Sequence, residues 1–156
     1  MIQLTVGSEA PAFSLLDHTG VPRAIDPGSK AILFFYPAAF TPGCTGEVCD
    51  FRDRTDRLEA AGYQLFGISP DAVEKLADFA AEYELPYPLL SDEDHAVADA
   101  YGAWGVKKNY GKEYVGLIRS TVAVGENGKV IAAWYNVKAT GHAERVTTEL
   151  LGGPSD

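Results

Sequence analysis

The run Ala31-Ile32-Leu33-Phe34-Phe35-Tyr36 constrains the fold of this chain more than any other feature. Nothing polar interrupts it, so it lacks the alternation that gives a strand one wet and one dry face. Such a strand needs cover on both sides, which is the place of a central strand in an α/β sheet. It is also far short of the roughly 18 apolar residues of a membrane helix. Lys30–Tyr36 therefore reads as the middle strand, and the pattern around it alternates. Residues 11–17 read as a short strand, and His18-Thr19-Gly20 turns it towards a second around Arg23–Ile25. A helix is predicted over about Gly43–Ala61, a strand over Tyr63–Ser69 and a helix over Asp71–Tyr83, where Leu76, Phe79, Ala80 and Tyr83 fall at helical spacing. Leu89-Leu90 reads as a short strand and Asp94–Tyr101 as a short helix, and 102–117 as a loop rich in Gly, Tyr and Lys. Arg119–Val124 and Lys129–Tyr135 read as strands joined across Gly125-Glu126-Asn127-Gly128, where Asn-Gly signals a tight turn. Ala143–Leu151 reads as a last helix.

Alternating β and α units imply parallel strands with helices on both faces, and the late strand pair adds an antiparallel edge. The expected fold is α/β and thioredoxin-like, with an N-terminal β-hairpin extension and a mixed central sheet flanked by helices. At 156 residues, without linker or repeat, residues 1–156 are expected to form a single domain.

Charge and cysteine content remove several function classes. Thirteen Lys and Arg stand against twenty-two Asp and Glu, a net charge of −9. A nucleic-acid binder needs a basic face to displace counterions from phosphates. The only dense basic cluster, Lys107-Lys108 with Lys112, reads as a solvated loop, so no nucleic-acid or membrane partner is expected. The three histidines, His18, His95 and His142, are scattered. With only two cysteines they do not make the four-ligand pattern of structural zinc, and no structural metal site is expected. Met1-Ile2-Gln3-Leu4-Thr5 lacks the basic flank and apolar core of a secretory signal, so a cytoplasmic location is expected. Two thiols in a reducing compartment point to redox chemistry.

Both thiols, Cys44 and Cys49, lie where the buried strand hands over to a helix. In an open α/β sheet this carboxyl edge of the strands is where ligands bind. Cys44 falls in the first turn of the helix, where free N–H groups and the helix dipole favour a thiolate, the nucleophilic form. Thr41, three residues earlier, carries a hydroxyl that can donate and accept, and Pro37 and Pro42 stiffen the loop. At about 100° per residue, Val48, Phe51, Thr55 and Leu58 lie within about 40° of Cys44, an inward stripe. Cys49 lies about 140° away, beside Asp53 and Asp56, and is expected to face water. Glu47, three residues after Cys44, reads equally as a first-turn acid complementing the dipole or as a group orienting the site. Arg119 reads as a surface ion-pair residue or as a fixed positive charge for the thiolate. Trp104 and Trp134 read as core or rim.

These residues resemble a peroxiredoxin. Pro37-x-x-x-Thr41-x-x-Cys44 matches the Pro-x-x-x-Thr-x-x-Cys motif of that family at each fixed position. The run from Thr41-Pro42-Gly43-Cys44-Thr45 through Glu47, Cys49 and Phe51-Arg52-Asp53 resembles the PrxQ branch, the bacterioferritin comigratory proteins. Leu90-Ser91-Asp92, Ala100-Tyr101-Gly102, Trp104-Gly105, Tyr110-Gly111-Lys112 and Arg119-Ser120-Thr121 extend the likeness from Pro11 to about Leu150. Ala38-Ala39-Phe40 departs from PrxQ, which often has charges there, and is similar to the one-cysteine AhpE-like branch. The resemblance implies reduction of hydrogen peroxide and organic hydroperoxides without a cofactor. Cys44 would be the peroxidatic cysteine, with Thr41 and Arg119 holding the peroxide, Pro37 shielding the site and Glu47 in support. Cys49 would resolve the Cys44 sulfenic acid as an intramolecular disulfide, reopened by thioredoxin or a similar thiol reductant. The chain is expected as a monomer or weak homodimer, with Phe40 as a contact or an apolar rim. Two other readings stay open: a one-cysteine peroxidase resolved by an external thiol, and a redox-sensing or chaperone module that does not turn over.

Overall fold

The computed structural model describes residues 3–109 and 111–152; Met1, Ile2 and the motif residue Tyr110 lie outside them. Two short strands, β1 (Leu15–Leu16) and β2 (Pro22–Arg23), form the expected antiparallel hairpin. It is held by Asp17, almost fully buried, whose carboxylate accepts hydrogen bonds from Thr19, Val21 and the Arg23 guanidinium. Burial opposes that charge, but the hydrogen bonds prevail and keep the carboxyl well below its usual range.

The main sheet takes β3 (Lys30–Phe35), β4 (Tyr63–Ser69), β5 (Leu89–Ser91), β8 (Ser120–Val124) and β9 (Val130–Trp134) in the order β5-β4-β3-β8-β9. β3, β4 and β5 run parallel, β8 pairs antiparallel with β3, and β9 pairs antiparallel with β8. β3 is central, and its apolar run is divided between two cores. Ile32, Phe34 and Tyr36 face one side, under α1 (Pro42–Ala60), α2 (Val73–Glu82) and α4 (His142–Leu151). Ala31, Leu33 and Phe35 face the other, with Phe66, Ile68 and Tyr101, the residue that ends α3 (Ala96–Ala100). Two buried faces leave no position for a polar residue after Lys30, which opens the strand half-buried.

Residues 102–117 are not the expected loop. β6 (Trp104–Asn109) and β7 (Lys112–Leu117) pair antiparallel as a hairpin outside the main sheet. Its exposed face pairs Val106 with Val115, and Lys107 lies over the Tyr114 ring. β-branched and aromatic residues favour this extended state, while the lysines and glycines give the segment a loop-like composition. No helix among the described residues is long and apolar enough to cross a membrane.

Close packing at β4 sets one stability prediction. A Cβ added to Gly67 would come within 2.8 Å of both Phe34 Cζ and Leu89 Cδ2. Phe34 is itself stacked on Phe51 of α1, ring centroids 4.4 Å apart, and has no room to retreat. Gly67→Ala is expected to cost about 1–3 kcal/mol through overpacking, read from urea unfolding midpoints. An unchanged midpoint would contradict the packing described.

Candidate active site

The end of β3 and the start of α1 build the site. Thr41 caps the helix in an extended conformation, and Pro42, with no N–H to satisfy, takes the first helical position. Cys44 is therefore the third helical residue, fully buried on the inward face. Val48, Phe51, Thr55 and Leu58 continue that face as the spacing predicted. Phe51 on Phe34, and the Tyr87 hydroxyl donating to the Val48 carbonyl at 2.7 Å, fix the helix over the sheet. The first turn thus sits over the carboxyl end of the central strand.

Arg119, just before β8, reaches back to this turn. Its Nη2 donates to Cys44 Sγ at 3.2 Å and its Nη1 to Glu47 Oε1 at 2.5 Å. The Arg119 carbonyl accepts the Val137 N–H, which fixes its backbone. One guanidinium so bridges sulfur and carboxylate in a largely dry place: the Arg119 side chain is 15% exposed and that of Glu47 0%. Glu47 does not take the place of a first-turn acid. The helix begins at Pro42, so Glu47 lies beyond the first turn, and it turns inward rather than to solvent. Its carboxyl is pushed up to about 7 by burial, only partly offset by the Arg119 charge and hydrogen bond. Its Oε2 is buried without a hydrogen-bond partner.

Thr41 lies at the surface of the turn, its hydroxyl donating to the Ala38 carbonyl at 2.9 Å. That orientation leaves the lone pairs of Oγ1 free to accept from a ligand. Pro37 is half-buried at the start of the loop. Phe40 is 45% exposed at a positive φ of 66°, its ring packed on Phe79 of α2 at 4.9 Å. Cys49 departs from expectation. It is partly buried and packs against the core beneath α1 instead of facing water, although Asp53 and Asp56 are exposed. The apolar side chains beside the helix flank close over it. Burial pushes its thiol up, with Asp50 and Asp53 adding to that and Arg52 opposing. Both cysteines are free, on one unbroken 19-residue helix.

Two contacts carried no motif. The Ala39 N–H donates to Asp71 Oδ2 at 2.7 Å, and His142, buried between Phe51 and Trp134, pairs with the Thr121 hydroxyl at 2.7 Å. For Asp71 the available signal was its place just past the carboxyl end of β4, on the same sheet edge as Cys44. Trp134 is core and Trp104 stacks on His95, so neither tryptophan enters the site.

A thioredoxin-like sheet with a buried cysteine on the first turn of its first long helix, faced by an arginine, is the build of a thiol peroxidase. Residues 6–133 match the AhpC/TSA family. A Mycobacterium tuberculosis homologue is 51% identical over 150 residues, covering 95% of this chain and 96% of that one. Peroxiredoxin Bcp of Escherichia coli is 40% identical over 152 residues, covering 96% and 97%. Among solved structures, bacterioferritin comigratory protein of Xanthomonas campestris superposes with a TM-score of 0.86 at 33% identity, covering 94% of this chain and 98% of that one. The chain belongs to the AhpC/TSA family and, within it, to the Bcp (PrxQ) peroxiredoxins. It is a peroxidase that takes a peroxide as substrate and a thiol as reductant.

Proposed function

We propose that Cys44 is the peroxidatic cysteine and Cys49 its resolving partner, in a thioredoxin-dependent peroxidase acting on hydrogen peroxide and organic hydroperoxides. The observation that carries the reading is the Arg119 guanidinium on Cys44 Sγ at 3.2 Å, at a helix N-terminus. The guanidinium holds the sulfur and stands beside the place that an incoming peroxide must take. That sulfur attacks the terminal peroxide oxygen. An S–O bond forms, the O–O bond breaks, and the departing oxygen takes a proton to leave as water or an alcohol. Cys44 becomes a sulfenic acid, oxidised by two electrons. Arg119 and the Thr41 hydroxyl hold the peroxide oxygens and stabilise charge as that bond breaks. Pro37 keeps water from the sulfur, and Glu47 holds the guanidinium in place. Glu47 is a positioning residue here, since it reaches the sulfur only through Arg119.

Resolution then releases water as Cys49 sulfur bonds to Cys44 sulfur, and a thioredoxin-like dithiol reopens the disulfide by exchange. Two free thiols suit a reducing compartment such as the cytoplasm. Phe40, exposed beside Thr41, is an apolar rim for a larger hydroperoxide, on a chain working as a monomer or weak homodimer. The test is sustained peroxide consumption with thioredoxin and its reductase. Many turnovers per protein support the reading; one equivalent followed by arrest would leave a sensor, not a catalyst.

Burial of Glu47 gives the site a pH signature. Its folded value, about 7, lies above the ordinary 4.5, so the folded protein holds the extra proton between these values. Stability from this group is complete below about pH 4.5 and is lost as pH rises through 7, on the order of 3 kcal/mol in all. His142, lowered to about 4 by burial and then by the Arg145 and Arg119 charges, has the opposite dependence. Comparing wild type with Glu47→Gln cancels the histidine. Between pH 5 and pH 8 the wild type is expected to lose stability relative to the variant in urea unfolding. Parallel curves would show that Glu47 does not titrate there.

A further inference from the structure

We infer that Asp71 is a positioning residue for the peroxide step: it holds the Pro37–Thr41 loop in the conformation that presents Thr41 beside Cys44. The inference rests on the peroxidase reading above and adds a residue that no motif of the site contains.

The loop adopts a conformation it would not keep unaided. Phe40 stands at φ 66°, in the left-handed region that a bulky residue enters only when its surroundings impose it. Thr41, the next residue, must return at once to an extended conformation to cap α1. Two anchors impose this path, and both come from the segment after β4. One is the Phe40 ring on Phe79. The other is the buried Ala39 amide, which donates to Asp71 Oδ2 at 2.7 Å. A carboxylate acceptor makes this a charge-assisted bond, stronger than its neutral counterpart.

Asp71 is itself tightly located. Its Oδ2 also accepts the Ser69 hydroxyl at 2.8 Å, and its carbonyl accepts the Ser91 hydroxyl from β5 at 2.6 Å. Its other oxygen, Oδ1, lies 3.2 Å from Lys75 Nζ on the solvent side. The carboxylate is 9% exposed. The β3–α1 loop is thus tied through one residue to the ends of two neighbouring strands: its side chain meets Ser69 of β4 and its carbonyl Ser91 of β5. Catalysis gains from this because the Thr41 hydroxyl must meet the peroxide while Cys44 attacks it. A displacement of about 1 Å in such a group costs up to about a hundredfold in rate. Cys44 and Arg119 do not touch Asp71, so their own pairing survives its loss.

The test compares Asp71→Ala, Asp71→Asn and Lys75→Ala with wild type in two reactions of Cys44. One is the single-turnover rate of oxidation by hydrogen peroxide, by acid quench and mass spectrometry. The other is the alkylation rate with iodoacetamide, which needs the sulfur but no peroxide pocket. Asp71→Ala is expected to slow peroxide oxidation about 10- to 100-fold with alkylation unchanged. Asp71→Asn, whose amide oxygen still accepts from Ala39 and Ser69, is expected to recover most of the rate. Lys75→Ala, which touches only Oδ1, is expected to match wild type. Wild-type peroxide rates in Asp71→Ala, or oxidation and alkylation falling together, would overturn the inference. If Asp71→Ala does not fold, Asp71→Leu decides: it fills the space but leaves the Ala39 N–H without its acceptor, and an unchanged peroxide rate there overturns the inference equally. A wild-type Cys44 that peroxide fails to oxidise would instead remove the peroxidase reading itself, so the two failures are distinct.

Discussion

Replacing Arg119 with methionine is expected to slow peroxide oxidation of Cys44 on the order of 10²- to 10³-fold, the usual cost of removing one fixed donor from a site of developing charge. Methionine keeps much of the aliphatic stem, so packing is largely preserved. What disappears is the fork that reaches Cys44 Sγ and Glu47 Oε1 together. Glu47, fully buried, loses its counter-charge and takes up a proton, which spares the fold a bare buried anion. Lysine at this position is expected to recover only part of the rate, because a single ammonium cannot face two groups in a planar fork. Stopped-flow oxidation kinetics read all three proteins. A methionine variant close to the wild-type rate would show that the 3.2 Å contact plays no part in catalysis.

The second large effect falls on turnover rather than on the first step. Cys49→Ser is expected to keep the rate of Cys44 oxidation and to lose thioredoxin-supported turnover, leaving a sulfenic acid with no internal thiol to condense with. The geometry also demands a movement. Five residues along an intact helix rise about 7.5 Å. Bridged cysteines need Cα atoms within about 7 Å and converging Cβ vectors. α1 is unbroken from Pro42 to Ala60 with both thiols free, so the disulfide requires its first turns to unwind. Gly43 and Gly46 lower that cost, since each weakens a helix by about 1 kcal/mol relative to alanine. Oxidised wild type is therefore expected to show less helical circular dichroism than reduced, and oxidised Cys49→Ser no such loss. Unimpaired turnover of Cys49→Ser with thioredoxin would mean that an external thiol resolves Cys44.

Local pattern made part of this legible. The unbroken apolar run of β3 signalled cover on both faces, and the structure divides it between two cores. Helical spacing from Cys44 placed Val48, Phe51, Thr55 and Leu58 inward, where they lie. Partnerships between distant segments were not legible from pattern. Arg119 and Glu47 are 72 residues apart, and either alone looks like a surface charge; burial of both follows only once β8 is laid beside β3. The Ala39–Asp71 bond joins two strand ends 32 residues apart through a backbone amide, which leaves no trace in side-chain pattern. Cys49 lies on the polar flank of its helix, and only the neighbouring core residues reveal that this flank is half covered. The β6–β7 hairpin was hidden by lysine and glycine in a segment whose valines pair across the strands.

The most direct measurement is mass mapping of both thiols after one equivalent of hydrogen peroxide is added to the reduced protein. The account predicts a transient sulfenic acid on Cys44, trapped by dimedone at early times, followed by a Cys44–Cys49 disulfide. Oxidation found first at Cys49, or both thiols left untouched by peroxide, would contradict it.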